Sequence, residues 1–182
     1  PAQLALEAGA QVLAVINASP FHVGKGGERV QRMADRVKAT GLPLVYAHLV
    51  GGQDEVVFDG GSFALNANAE LVARAENFKE KLLYIGVKIG ENLDENNTLA
   101  GVNIASVATD LIVNEVDGKR DTIAPLRSDE ADLWDALVLG IRDYLGKNGF
   151  PGAILGLSGG IDSALVLALA VDALGKDKVQ IG

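Results

Sequence analysis

A layered α/β fold is what this sequence predicts, and three features carry the prediction. Two continuous apolar runs, QVLAVI from Gln11 to Ile16 and LPLVYAHLV from Leu42 to Val50, have the length and content of buried strands. Between them lies an amphipathic segment with Val30, Met33, Ala34 and Val37 on one stripe. Toward the other end, AILGL runs directly into SGGIDS and then into ALVLALAVDALG, a strand, a loop and a helix in immediate succession.

Taken in order, PAQLALEAGA has the form of a helix end closing at Gly9. QVLAVI, bounded by Gly9 and by NASP, is expected to be a strand buried on both faces. The amphipathic helix stops at Gly41 and Pro43, with Arg29, Arg32 and Arg36 expected on its solvated side. From Gly51 to Phe78 the runs VVF, SFALNA and ELVARA, separated by DGG and NAN, predict antiparallel hairpins added to the sheet. The signals weaken from about Lys79 to Ser128, as expected of a connector holding pieces of strand. A helix is expected from Asp129 to Asn148, with Leu133, Leu137, Ile141 and Tyr144 among its apolar positions, Trp134 and Tyr144 in the core, and Gly149 beyond its end. AILGL is then a short buried strand, and KVQIG, from Lys178 to Gly182, opens another.

Composition removes several function classes. Sixteen basic against 24 acidic residues give a net charge of −8, without the basic stripe that a nucleic-acid partner requires. With 48% apolar and 22% charged residues over 182 positions, the chain is globular rather than disordered. Zero cysteines exclude disulfides, thiolate zinc sites and a cysteine nucleophile within these residues. The longest apolar run, Ala164 to Val171, is far short of the roughly 20 residues that span a bilayer, so no membrane partner is expected. No signal-peptide pattern opens the chain, and a cytoplasmic location is expected. With no Met at position 1, the chain is expected to begin inside a domain.

The junction of AILGL with SGGIDS is the most informative stretch. Glycines at 159 and 160 permit positive φ and let backbone N–H groups curl around an anion, while the N-terminus of the following helix brings its partial positive charge to the same place. The hydroxyls of Ser158 and Ser163 add two further donors. A carboxylate, Asp162, beside a phosphate is repulsive unless a magnesium ion lies between them, since magnesium is commonly held by one or two carboxylates and phosphate oxygens. The pattern therefore points to a metal-bound nucleotide. Other readings of the same residues are a conventional P-loop, a nucleophile elbow and a purely structural turn. The first lacks its Gly-Lys-Ser/Thr ending. GLSGG does satisfy G-x-S-x-G, but His22 and His48, the two histidines present, both precede Ser158, whereas the elbow enzymes place histidine after the serine. A structural turn has no need of two serines and an aspartate.

SGGIDS resembles the signature of the ATP pyrophosphatases, and the stretch from Ala136 to Gly175 resembles the glutamine-dependent NAD(+) synthetases more closely. VINASPFHVGKGGERV (Val15 to Val30) and VGGQDEVVFDGGSF (Val50 to Phe63) look like the later half of the nitrilase-type glutaminase domain of that family. The resemblance implies the C-terminal part of a nitrilase-like α-β-β-α sandwich over residues 1–85. A connector over 86–128 then leads to the first strand-loop-helix unit of an adenine nucleotide alpha hydrolase-like, Rossmann-like domain over 129–182.

By the same resemblance the activity is that of a ligase forming a C–N bond with glutamine as amide donor. ATP adenylates the carboxylate of deamido-NAD+ with loss of pyrophosphate, and ammonia from glutamine displaces AMP. Ser158, Gly159, Gly160, Ile161 and Ser163 would then bind the ATP phosphates, with Asp162 toward Mg2+. Nitrilase-type amidases use a Glu, a Lys and a Cys; with no cysteine here, no glutaminase catalytic residue is assigned to any position of this chain. Ser19 and Phe21, at the end of a strand where ligands collect in α/β sheets, are candidates for contacting glutamine. The full-length protein is expected to be a homo-oligomer, and the chain by itself inactive as a synthetase. The alternatives are another SGGxDS amidotransferase, such as a GMP or asparagine synthetase, and a noncatalytic ATP-binding protein. His22 is expected in a solvated or backbone-bonded state and His48 as a satisfied core residue.

Overall fold

A computed structural model describes residues 1–87 and 123–182; the connector expected over 86–128 lies mostly outside the described residues. The first part of the chain builds helix α1 (Ala2–Glu7), strand β1 (Leu13–Asn17), helix α2 (Lys25–Thr40) and strands β2 (Leu44–His48), β3 (Val50–Gln53), β4 (Val56–Asp59), β5 (Phe63–Leu65) and β6 (Leu71–Arg74). The second part builds helix α3 (Asp129–Lys147), strand β7 (Ala153–Leu155), helix α4 (Ile161–Leu174) and strand β8 (Val179–Ile181). The α/β class is as the sequence predicts. No helix among the described residues is long and apolar enough to cross a membrane.

β1, β2, β5 and β6 form one sheet in that order, with β1 parallel to β2 and the other pairs antiparallel. Helix α2 makes the crossover from β1 to β2 and ends at Gly41, whose φ of 69° allows its N–H to close on the Val37 carbonyl at 2.7 Å. Met33, Ala34 and Val37 of α2 pack on Leu44, Tyr46, Phe63 and Leu65 of the sheet. Burying an aliphatic side chain of this kind contributes about 1.5–3 kcal/mol, so this layer is the main source of stability in the first part.

β1 differs from its expectation. It is an edge strand with one face packed and one open: Leu13 and Val15 turn toward the core while Ile16 is 91% exposed. A continuous apolar run thus matches a strand whose outward face no described element covers. The hairpin β3–β4 also departs from expectation, standing as a separate two-stranded sheet that docks on α3 instead of extending the main sheet.

That docking explains which side of α3 is buried. Ala136 and Leu139 face Phe21, Val50, Val57 and Phe78, whereas the apolar positions Leu133 and Leu137, and Tyr144, expected in the core, are exposed. The backbone of β3 comes so close that a Cβ on Gly52 would sit 3.1 Å from Asp143 Cβ and 3.2 Å from the Gly140 Cα. Close approach of two backbones selects glycine and alanine over large apolar residues. Asp143 accepts the Gly52 N–H at 2.8 Å and Lys147 donates to the Gly52 carbonyl, so the hairpin is also pinned by polar contacts. Trp134, half-buried, bridges two helices by donating its indole N–H to Asp172 at 3.0 Å.

β7 and β8 pair in parallel around α4, a strand-loop-helix-strand unit. β7 is exposed on one face, with Ile154 at 76%, where the sequence suggests a buried strand. A Cβ on Gly152 would overlap the Lys178 carbonyl oxygen, a backbone atom with no freedom to swing away. Gly152→Ala is therefore expected to cost about 1–3 kcal/mol by overpacking. Gly156→Ala, with open space around it, is expected to change stability by no more than about 0.5 kcal/mol. Thermal unfolding of the two variants checks the difference.

Candidate functional site

The loop between β7 and α4 brings together all the residues predicted to hold phosphate. Gly159 adopts φ 83°, a conformation costly for any residue with a Cβ, and Gly160 is the extended residue that begins the helix. The first intrahelical bond runs from the Ala164 N–H to the Gly160 carbonyl at 3.2 Å. The N–H groups of Ile161, Asp162 and Ser163 consequently have no intrahelical acceptor, and no side chain among the described residues caps them. At α3 the corresponding vacancy is filled, because Ser128 accepts the Ala131 N–H at 3.3 Å.

The two serines of the loop turn toward each other instead. Ser163 Oγ donates to the Gly160 carbonyl at 3.0 Å and lies 3.1 Å from Ser158 Oγ, which takes the Gly160 N–H in a long 3.4 Å contact. This leaves an exposed concave run of amides at the positive end of a helix, the arrangement suited to an anion. Asp162 is exposed and has no hydrogen bond or ion pair among the described residues, so its carboxylate oxygens are available to a cation. No cluster of three or more metal-ligating side chains exists among the described residues. A divalent ion here would be shared between Asp162 and the ligand's own oxygens, which is the mode of magnesium.

A second constellation gathers at the C-terminal end of β1. Ser19 follows an Asn17 turn in which its N–H donates to Asn17 Oδ1 at 2.9 Å. Arg29 reaches Ser19 from α2, donating from Nε to Ser19 Oγ and from Nη2 to the Ser19 carbonyl, both at 3.1 Å. Its Nη1 binds Asp59 Oδ2 at 2.6 Å, an ion pair whose side chains are 9% and 4% exposed. Arg29 is thus buried, contrary to the expectation that it lies with Arg32 and Arg36 on the solvated side. Its spacing explains why: positions 29, 33 and 37 share one face of α2, and the stem of arginine packs like an apolar residue while its head finds Asp59.

His48 completes the group. Its Nδ1 lies 3.0 Å from the Leu49 carbonyl, which can only accept, so Nδ1 carries the proton and Nε2 is the acceptor facing Ser19 Oγ at 3.3 Å. Burial, then the charge of Arg29, hold its pKa below the usual histidine value. His48 is therefore a neutral, satisfied buried residue, as expected from its strand, though it also touches a predicted ligand residue. His22 is exposed with its ring on the Val23 carbonyl. The sequence places Arg29 in solvent and leaves Asp59 unmarked, and the spacing of Arg29 from Met33 is the signal that points to its burial.

Phe21 is drawn away from Ser19 into packing: its ring meets Phe78 edge-on at 5.3 Å and 77°, against the Ala136 and Leu139 surface of α3. It also lines a cavity of about 360 Å3 that Asp59, Arg74, Arg127 and Asp132 share. Burial holds the Asp132 carboxyl above the usual carboxylate range, although Asn77 donates to it and Arg127 Nε lies 3.4 Å from Oδ1. Ser19 is thus held by Arg29 and His48, whereas the ring of Phe21 packs on Phe78.

The family described as NAD synthase matches residues 133–181, which contain the loop and both strands flanking it. Curated glutamine-dependent NAD(+) synthetases match nearly the whole chain. That of Acinetobacter baylyi is 39% identical over 93% of this chain and 27% of its own length, and that of Thermotoga maritima 36% identical over 98% and 32%. Among solved structures, glutamine-dependent NAD+ synthetase from Acinetobacter baumannii, in complex with adenosine diphosphate, superposes with a TM-score of 0.73 at 37% identity. That superposition covers 98% of this chain and 30% of that one. A synthetase from Cytophaga hutchinsonii, 24% identical over 95% of this chain and 25% of its own, shares the fold with a TM-score of 0.59. The chain thus spans about three-tenths of the length of the synthetases it matches, and along nearly all of its own length it is similar in sequence to them.

Proposed function

We propose that this chain is the segment of a glutamine-dependent NAD(+) synthetase in which glutaminase and synthetase parts meet. Residues 1–85 are the C-terminal part of a nitrilase-like glutaminase domain, residues 86–128 the connector, and residues 129–182 the opening unit of the ATP-pyrophosphatase domain. One observation carries the proposal: the uncapped amides of Ile161, Asp162 and Ser163 beside Ser158, Gly159 and Gly160, in a chain whose relative of known structure is in complex with ADP. The substrates are ATP, glutamine and deamido-NAD+. The whole protein is expected to be a cytoplasmic homo-oligomer.

In this reading the loop serves mainly to stabilise charge. The carboxylate of deamido-NAD+ attacks the α-phosphorus of ATP, the bond to pyrophosphate breaks, and ammonia then displaces AMP from the acyl carbon. Backbone donors fixed before the reaction stabilise the departing pyrophosphate without reorganising. Asp162, without partners among the described residues, would hold Mg2+, whose part is to neutralise phosphate charge. Ser158 and Ser163 trade their mutual hydrogen bond for phosphate oxygens. Ser19 and Phe21 contribute to the glutamine pocket, Phe21 from a position where its ring is steadied by Phe78.

Full-length protein incubated with ATP, magnesium, glutamine and deamido-NAD+ is expected to yield NAD+, AMP and pyrophosphate in equal amounts, resolved by chromatography. Inertness toward deamido-NAD+ with turnover of xanthylate or aspartate would replace this reading with that of another amidotransferase.

A further inference from the structure

The Ser19 hydroxyl is held in a way that restricts what it can bind. A serine oxygen has one proton to give and two lone pairs to receive. With Nδ1 of His48 committed to the Leu49 carbonyl, Nε2 can only accept, and the Ser19 proton goes to it. Arg29 Nε takes one lone pair. One lone pair remains, so the hydroxyl presents itself to a ligand solely as an acceptor.

The geometry points to His48 and Arg29 as positioning residues of the glutamine pocket, which orient Ser19 Oγ to receive an N–H group of the substrate. The inference rests on the reading of Ser19 as a glutamine contact and deepens it by naming the chemistry: an ammonium or primary amide is selected over a carboxylate. Arg29 is itself fixed by Asp59, and both ends of Ser19, hydroxyl and carbonyl, are tied to the one guanidinium. His48 is not a general base here. Taking up a proton would place an imidazolium in a buried position next to Arg29; Asp59 Oδ1, 3.9 Å from Nδ1 and without a hydrogen-bond partner among the described residues, offsets that cost only in part. Tyr46, stacked on the imidazole with ring centroids 5.8 Å apart, is the remaining titratable group facing it.

Two variants of the full-length protein separate this role from simple packing. His48→Gln retains an acceptor where Nε2 lies, whereas His48→Asn retains only the polar group near Nδ1. For glutamine hydrolysis, His48→Asn is expected to raise KM about three- to tenfold with little change in kcat, the effect of one misdirected hydrogen bond. His48→Gln is expected to stay within about twofold of the parent, and Ser19→Ala combined with His48→Asn to be no worse than Ser19→Ala alone. The parent's KM is also expected to rise at acid pH, as His48 protonates and loses its acceptor, and His48→Gln to lack that rise. Equal impairment of the Gln and Asn variants, or additive effects with Ser19→Ala, would overturn the positioning role while leaving the glutaminase reading intact. A parent enzyme that hydrolyses no glutamine would overturn both.

Discussion

Asp59→Ala is expected to destabilise the protein by about 3–5 kcal/mol, because removing one partner of a buried ion pair leaves the other charge without compensation. The Arg29 and Asp59 side chains are 9% and 4% exposed and meet at 2.6 Å, so the guanidinium left behind stays largely out of bulk water. The destabilisation comes from the stranded guanidinium more than from the missing attraction. Replacing both residues, as in Arg29→Met with Asp59→Leu, is accordingly expected to recover most of the loss, since a well-packed apolar pair often matches a buried ion pair. Urea unfolding followed by circular dichroism measures both. If the double variant were as unstable as Asp59→Ala, the stranded-charge explanation would fail and the cost would lie in the hydrogen bonds from Arg29 to Ser19.

Asp162→Asn is expected to lower the synthesis of NAD+ by the full-length protein about 100-fold or more, while glutamine hydrolysis persists. The size is that of losing one fixed electrostatic element at a site of developing charge. The carboxylate is exposed and without partners among the described residues, so the substitution removes none of their contacts. Its sign depends on the metal. With magnesium present the variant loses a ligand; without magnesium it loses a repulsion and is expected to bind ATP at least as well as the parent. Isothermal titration with ATP, with and without magnesium, alongside both activities, tests this. Tighter ATP binding in the parent than in the variant when magnesium is absent would remove Asp162 from the metal's surroundings.

The helices were legible because their signals are short in range. Gly41 and Gly149 mark helix ends through their own positive φ, and Gly159 bends the loop before α4 for the same reason. Alternation of strand, glycine-rich loop and helix announced the candidate anion site without any distant contact. The site at Ser19 was legible only in part. Its serine stands at a strand end that the sequence identifies, but Asp59 is 30 residues from its arginine and lies in an unremarkable DGG turn.

From sequence alone come the α/β class, the extent of α2, α3 and α4, the glycine-bent loop before α4, and a net charge of −8. Tertiary structure decided which side of each element is covered. It left Ile16, Ile154 and Leu133 exposed, buried Arg29, and set the β3–β4 hairpin on α3 through a bond from Gly52 to Asp143 that spans 91 positions. The reason is physical: φ preferences and periodicity act within a few residues, whereas burial depends on which surface arrives opposite, and apolar content alone does not say which surface that will be.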